Sequence, residues 1–320
     1  MSNDEIWTSF LGLGSDIEQG ETFPSKRPFL AHYTSIDSLE KIMSNDELWF
    51  SNPLYTNDLE ELRFGINEGA KAFGKNESIK DACGSEERYK ILTAHFDCYV
   101  DQFSNKHALD TYVFCLAEHD SKNSDGLLSM WRGYGGNGNG AALVFDTEKL
   151  EYNESSPLRI SKVSYYSKEE RLNWIESKLA EFAALLSKIS IPDEQLYLPA
   201  NALFERLKTF ALFTKHHGFL EEREWRVVYL GNLDRNGLFK SMLDYTVGRY
   251  GIEPKLKFKV QPIEGFTAKD LSLETIVTEI ILGPAVSSPL ATSSVCRMLE
   301  KLGKYELATR VTASTTPFRQ

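Results

Sequence analysis

No apolar run in this chain approaches the ~20 residues that a bilayer-spanning helix needs, so no transmembrane segment is expected. The opening Met1-Ser2-Asn3-Asp4-Glu5 is acidic and carries no apolar signal region, which points to the cytoplasm. Cysteine is scarce: Cys83, Cys98, Cys115 and Cys296 form no CxxC and no compact cluster. Zinc ribbons and redox dithiols are disfavoured, and reduced, mostly buried thiols are expected. A basic charge balance is missing too. The formal net charge of -10 disfavours a general nucleic-acid clamp, which wants a cationic surface. Lys255, Lys257 and Lys259 share one face of a strand and read as a solvated face.

Nucleotide-loop signatures are absent in the form that carries chemistry. Gly135-Gly136-Asn137-Gly138-Asn139-Gly140 follows Met130-Trp131-Arg132-Gly133-Tyr134 and precedes a strand. A dinucleotide fingerprint follows a strand and opens a helix, and a P-loop ends in Gly-Lys-Ser/Thr. The glycine run therefore reads as a flexible connection. His216 and His217 are adjacent, about 100° apart on a helix, and do not readily share one ion. There is no HExxH, and no metal is expected.

What is present is an irregular mixture of strands and helices. Strands are expected at Phe29 to Tyr33, Leu48 to Ser51, Thr111 to Leu116, Ala141 to Phe145, Ile160 to Tyr166, 255–261, Ile276 to Leu282 and Glu306 to Val311. Asn57-Asp58 caps a helix carrying Leu59, Leu62, Phe64 and Ile66. Long helical patterns cover about 168–189 and 194–216, broken at Ser190-Ile191-Pro192-Asp193. This order suits α+β rather than strict βα units. Residues 1–28 read as an irregular segment, and 29–320 as a single α+β domain with a helical insertion at about 168–217.

The most pointed stretch is Glu222-Arg223-Glu224-Trp225-Arg226 leading into Val227-Val228-Tyr229-Leu230. In extended chain, residues i and i+2 point to one face, so Glu222 and Glu224 should sit side by side at a strand mouth. Like charges that close raise each other's pKa, which suits either a working site or an exposed strand end paired with Arg223 and Arg226. On residue chemistry alone the two readings stand level.

The ordered set His32-Tyr33-Thr34-Ser35, Leu48-Trp49-Phe50-Ser51, Asn57-Asp58-Leu59-Glu60, Phe114-Cys115-Leu116, Met130-Trp131-Arg132-Gly133-Tyr134, Phe219-x-x-Glu222-x-Glu224-Trp225-Arg226, Ile281-Leu282-Gly283-Pro284 and Ser314-x-x-Pro317-Phe318-Arg319 resembles a large family of bacterial and phage-associated proteins that carries a domain-of-unknown-function label. That resemblance supplies no activity. A second one does: the strand-end His-x-Thr before a helix is similar to the opening of DarT-type ADP-ribosyltransferases, and the late Glu-x-Glu to the motif of arginine-directed ones.

This second resemblance implies a split, mostly antiparallel β-core with flanking helices that clamps NAD as a substrate, in a toxin or anti-phage defence effector. It implies that His32 holds the nicotinamide-side ribose, that Tyr33 and Thr34 line the nicotinamide side, and that Glu224 is the catalytic carboxylate, with Glu222 as the first Glu of the pair. Glu224 would stabilise the oxocarbenium-like ribose, and Glu222 would orient or deprotonate the acceptor. Tyr33 or Trp131 would stack on nicotinamide, with Arg132 or Arg226 facing the pyrophosphate and Tyr134 beside them. Ser51 and Asn52 stand where the DarT pattern has an arginine, and would contact the cofactor as polar groups only. The acceptor would be a protein or a nucleic acid, or water in an NAD glycohydrolase, with room for an antitoxin or regulatory partner. Two rivals stand beside this: a non-catalytic nucleotide- or partner-binding module, and a nuclease or hydrolase with a metal on Glu222, Glu224 and Asp58.

Overall fold

A computed structural model describes residues 2–14, 23–56, 59–151, 153, 155–248 and 251–318. It divides into two compact units, each gathered from three stretches. Met1–Thr22, Asn52–Thr111 and Val163–Phe219 form a helical unit; Phe23–Ser51, Tyr112–Lys162 and Leu220–Gln320 form a sheet unit. The strands are β1 (Phe29–Ser35), β2 (Glu47–Ser51), β3 (Thr111–His119), β4 (Gly140–Asp146), β5 (Leu158–Lys162), β6 (Ser164–Tyr166), β7 (Thr214–His216), β8 (Glu224–Leu230), β9 (Leu243–Gly248), β10 (Gly251–Lys259), β11 (Val277–Leu282) and β12 (Val311–Ala313). No helix among the described residues is long and apolar enough to cross a membrane.

The helical unit begins with order where the sequence suggested none. Ser2 caps the helix Asn3–Leu11: its hydroxyl accepts the Glu5 N–H and the Glu5 carboxylate accepts the Ser2 N–H. Ser-x-x-Glu is a capping box, and Ile6 and Phe10 bury the helix's apolar side. The helical patterns expected at 168–189 and 194–216 are the helices Lys168–Lys188 and Tyr197–Leu212. They share this unit with the helices Leu59–Phe73 and Glu86–Asn105. Helix Leu59–Phe73 approaches Tyr197–Leu212 through its glycines. A Cβ on Gly65 would lie 2.6 Å from the Ala211 Cβ, closer than real contacts allow. Phe73 stacks on Phe96 at 4.1 Å, and Phe96 and Phe103 pack on Phe204.

Five cations, Arg171, Lys178, Arg206, Lys208 and Lys215, are buried in this unit. Their heads lie on aromatic rings: Arg171 on Phe64 at 4.3 Å, Arg206 on Trp174 at 4.4 Å, Lys215 on Phe219 at 4.8 Å. Lys178 stands 5.9 Å from Trp174 and Lys208 5.8 Å from Phe204. A ring face carries a negative quadrupole that replaces part of the water such a head loses.

The sheet unit has the strand order β12-β11-β4-β1-β3-β2-β10-β9, and β8 joins β3 to β5. Along this order the pairings are antiparallel except β11 with β12, and β8 runs antiparallel to β5. The expected α+β class with a mostly antiparallel sheet and flanking helices is what forms. β1 pairs with β4 along its whole length, Phe29↔Asp146 to Ser35↔Gly140. Its ladder to β3 covers only Phe29↔His119 to Ala31↔Ala117; beyond Ala31 the two strands part. Alternation sends Leu30 to the larger core, with Phe50, Phe114, Trp225 and Tyr229. Ala31 and Tyr33 go to a smaller core on the other face, with Met130, Trp131, Ala142 and Ile281.

Two expected strands change form. Ile160 to Tyr166 is two strands, β5 pairing with β8 and β6 with β7, either side of Val163. Glu306 to Val311 is instead the short helix Tyr305–Ala308 followed by β12. The β10 lysines are neutralised locally. Lys255 meets Glu253 and Ser51, Lys257 meets Asp244, and Lys259 meets Glu47 and the Asn45 carbonyl.

Candidate functional site

Glu222 and Glu224 do not lie side by side. Glu222 ends the 3-10 segment His217–Glu222, and β8 starts only at Glu224. Between them Arg223 has φ 45°, in the left-handed region, so the extended geometry that aligns i with i+2 is broken. The Arg223 carbonyl accepts the Glu118 N–H at 2.9 Å, which starts the pairing of β8 with β3. Glu222 is half-buried and accepts the Tyr134 hydroxyl at 2.9 Å. Glu224 is 3% exposed and takes Arg226 in a bidentate pair, Nε at 2.7 Å and Nη2 at 3.2 Å. A fork of this kind is strong and directional.

His32 sits where β1 and β3 part. Its Nδ1 lies 3.0 Å from the Cys115 carbonyl oxygen, so that nitrogen carries the proton, and its ring stacks on Phe114 at 4.3 Å. Burial holds its pKa below the ordinary histidine value, against a smaller upward pull from that carbonyl. Phe114 belongs to the same core as Trp225. Glu224 precedes Trp225 on a regular strand and points to the opposite face. His32 and Glu224, expected to converge, are therefore directed to opposite faces of the sheet.

Tyr33 and Trp131 are brought together, with rings edge-to-face at 4.8 Å. They form a packed hub. Tyr33 accepts the Leu127 N–H at 2.8 Å, Trp131 Nε1 donates to the Asp125 carbonyl at 2.7 Å, and Trp131 has no exposed surface. Burial pushes the Tyr33 phenol up to about 12. Gly126, at φ 74°, passes so close that a Cβ there would stand 2.7 Å from the Tyr33 oxygen. Asp125 also accepts from Ser314 and from the backbone and hydroxyl of Thr315. The tryptophan motif, the glycine run and the closing Ser314 motif thus meet in one satisfied cluster.

The other expected contacts are dispersed. Thr34 is buried, while Arg132 is exposed. Tyr134 is exposed too, at Glu222. Ser51 accepts Lys255 Nζ at 2.9 Å. Asn52 belongs to the helical unit, is fully buried, and donates to the Ala108 and Thr111 carbonyls at 2.8 and 3.0 Å. It locks a chain turn, so a cofactor-contacting role does not fit it. No group of three His, Cys, Asp or Glu among the described residues is placed to hold a metal ion. Asn57, Asp58 and Arg319 lie outside the described residues.

One concave feature escaped the sequence reading. In the helical unit an open pocket of about 500 Å³ is lined by Arg63, Phe64, Asn67, Glu68, Lys71, Arg171, His216 and Phe219. Its signal was legible as a spacing: Arg63, Asn67 and Lys71 recur every fourth residue and share a helix face.

Residues 130–227 match a family model described as protein of unknown function (DUF2971), the kind of family the ordered motifs resemble. The matched stretch runs through parts of both units. It contains Trp131, Arg132, Tyr134, Glu222 and Glu224, and lies outside His32 to Thr34, Ser51 and Asn52. No curated protein and no solved structure matches the chain.

Proposed function

We propose that the protein is a nucleotide- or partner-recognising module that does not turn NAD over. One observation carries this reading. The carboxylate expected to stabilise a ribosyl cation, Glu224, is held in a buried fork by Arg226 on the face turned from His32. An acid that stabilises a developing cation must face it within hydrogen-bond reach, together with the group that orients the sugar. The Tyr33–Trp131 hub is likewise filled by its own hydrogen bonds and glycines. The macromolecular or regulatory partner expected from the sequence suits a recognition role.

NAD-dependent ADP-ribosyl transfer is the second reading. It is favoured by the early end of the β1–β3 ladder at Ala31, which leaves His32 beyond the paired residues. Purified protein incubated with labelled NAD, with and without cell extract, separates the two. The recognition reading expects saturable binding with no release of nicotinamide. Nicotinamide release that Glu224→Gln abolishes would overturn it, with label retained on a macromolecule marking transfer and free ADP-ribose marking hydrolysis.

A further inference from the structure

We infer that the β9–β10 hairpin is a self-association arm, whose apolar face packs against the same face of a second copy of the chain. β10 pairs with β2 only over Lys255–Lys259. Gly251–Pro254 and the β9 residues opposite them therefore form a ribbon with no further strand beside it among the described residues. The ladder sets Val247 opposite Ile252, Tyr245 opposite Pro254 and Leu243 opposite Leu256. Directly opposed residues share a face, and so do alternate residues along each strand. These six thus line one side of the hairpin. At its base that side is core: Leu256 has no exposed surface, and Leu243 packs on the same cluster. Toward the tip the same alternation runs out into solvent. Tyr245 is 65% exposed, Ile252 71% and Val247 87%, the highest value for a large hydrophobic among the described residues.

Charge and area select the second copy as the occupant. The face carries no charged side chain, in a chain with 36 basic and 46 acidic residues. A charged partner gains nothing there, whereas an identical uncharged face meets it without repulsion. A two-fold axis then closes the contact at two copies. The strand edge is not what is offered. The Tyr245 N–H already donates to the Asp244 carboxylate at 2.8 Å, and Lys257 Nζ donates to that carboxylate at 2.7 Å, which blunts the outer edge of β9 against strand addition. Area sets the strength. Tyr245, Val247 and Ile252 together expose roughly 400 Å² per copy, so pairing withdraws on the order of 800 Å², about half of a standard interface. The dimer is therefore weak and forms with rising concentration.

This inference goes beyond the recognition reading and holds whether or not NAD is turned over. Sedimentation velocity of the full chain from about 5 to about 300 μM tests it. The average mass should rise from one copy toward two, with little change on adding salt, because no charge pair holds the contact. Val247→Lys sets an ammonium in the middle of the contact, at a position open to solvent in the single copy, and should weaken the dimer by about tenfold or more. Ile252→Lys repeats the test on the neighbouring strand. Leu290→Lys changes an equally exposed residue of the helix Pro289–Lys301, also in the sheet unit, and should leave the dimer unaltered. A single copy at every concentration overturns the proposal, and is the result expected if the arm serves a foreign protein. A dimer that survives both Val247→Lys and Ile252→Lys, or one that Leu290→Lys weakens equally, overturns it too.

Discussion

The two units bury charge of mostly opposite sign. Among the described residues, the buried charges of the helical unit are all cations, Arg171, Lys178, Arg206, Lys208 and Lys215. In the sheet unit acids predominate: Glu224, Asp234 and Glu253, with Arg226 beside them. The cations are long, so their stems pack as hydrocarbon while their heads rest on rings or reach carboxylates at the rim, as Lys208 does with Glu205 at 2.7 Å. A carboxylate has no such stem and must be met by donors where it lies. Asp234 accepts the Tyr229 hydroxyl and the Leu238 and Phe239 N–H groups, and Glu224 takes the Arg226 fork. A buried charge in the helical unit thus adds ring contact and a long apolar stem to its pairing, and in the sheet unit rests on donors placed around it.

The contrast can be broken at its strongest point by Arg226→Met. It leaves the Glu224 carboxylate buried without its fork, and a loss of about 3–5 kcal/mol is expected, read from urea denaturation. Adding Glu224→Gln to that variant should recover part of the loss; no recovery would mean that the fork is not what holds the acid.

A smaller effect is expected from pH. The folded pKa of His32 is held below its unfolded value by burial, so below about pH 6.5 the unfolded chain binds the extra proton. The contribution is fully present above that value and is lost as pH falls through the window below it. His32→Gln should flatten this part of the stability profile, and an unchanged profile would show that the imidazole is hydrated.

The smallest effect is expected in the helical unit. Lys208→Met keeps the stem and removes only a head whose carboxylate partner is already partly in water. A change of about 1 kcal/mol or less is expected, and a loss comparable to that of Arg226→Met would erase the difference between the units.

Strands buried as apolar runs were legible from sequence, as β3 and β4 show, because burial leaves a local mark. The capping box at Ser2 and Glu5 is equally local, but the polar composition of the N-terminal segment masks it. The Glu222/Glu224 geometry could not be read, since a single left-handed residue, Arg223, reverses an inference that assumes continuous extension. The same holds for His32: its neighbours in sequence do not reveal where β1 leaves β3. The pocket needed three distant stretches to be placed together, although its fourfold spacing on one helix was visible.

The interleaving of the two units has a practical meaning for making and dissecting the protein. Each draws on stretches that alternate along the chain, the helical one closing only at Phe219 and the sheet one only in the last hundred residues or so. A growing polypeptide leaving the ribosome must hold the early strands without their partners until late in synthesis, a demand on chaperones that contiguous domains avoid. No single cut releases either half intact, so deletion mapping will return insoluble fragments where point substitutions will return answers.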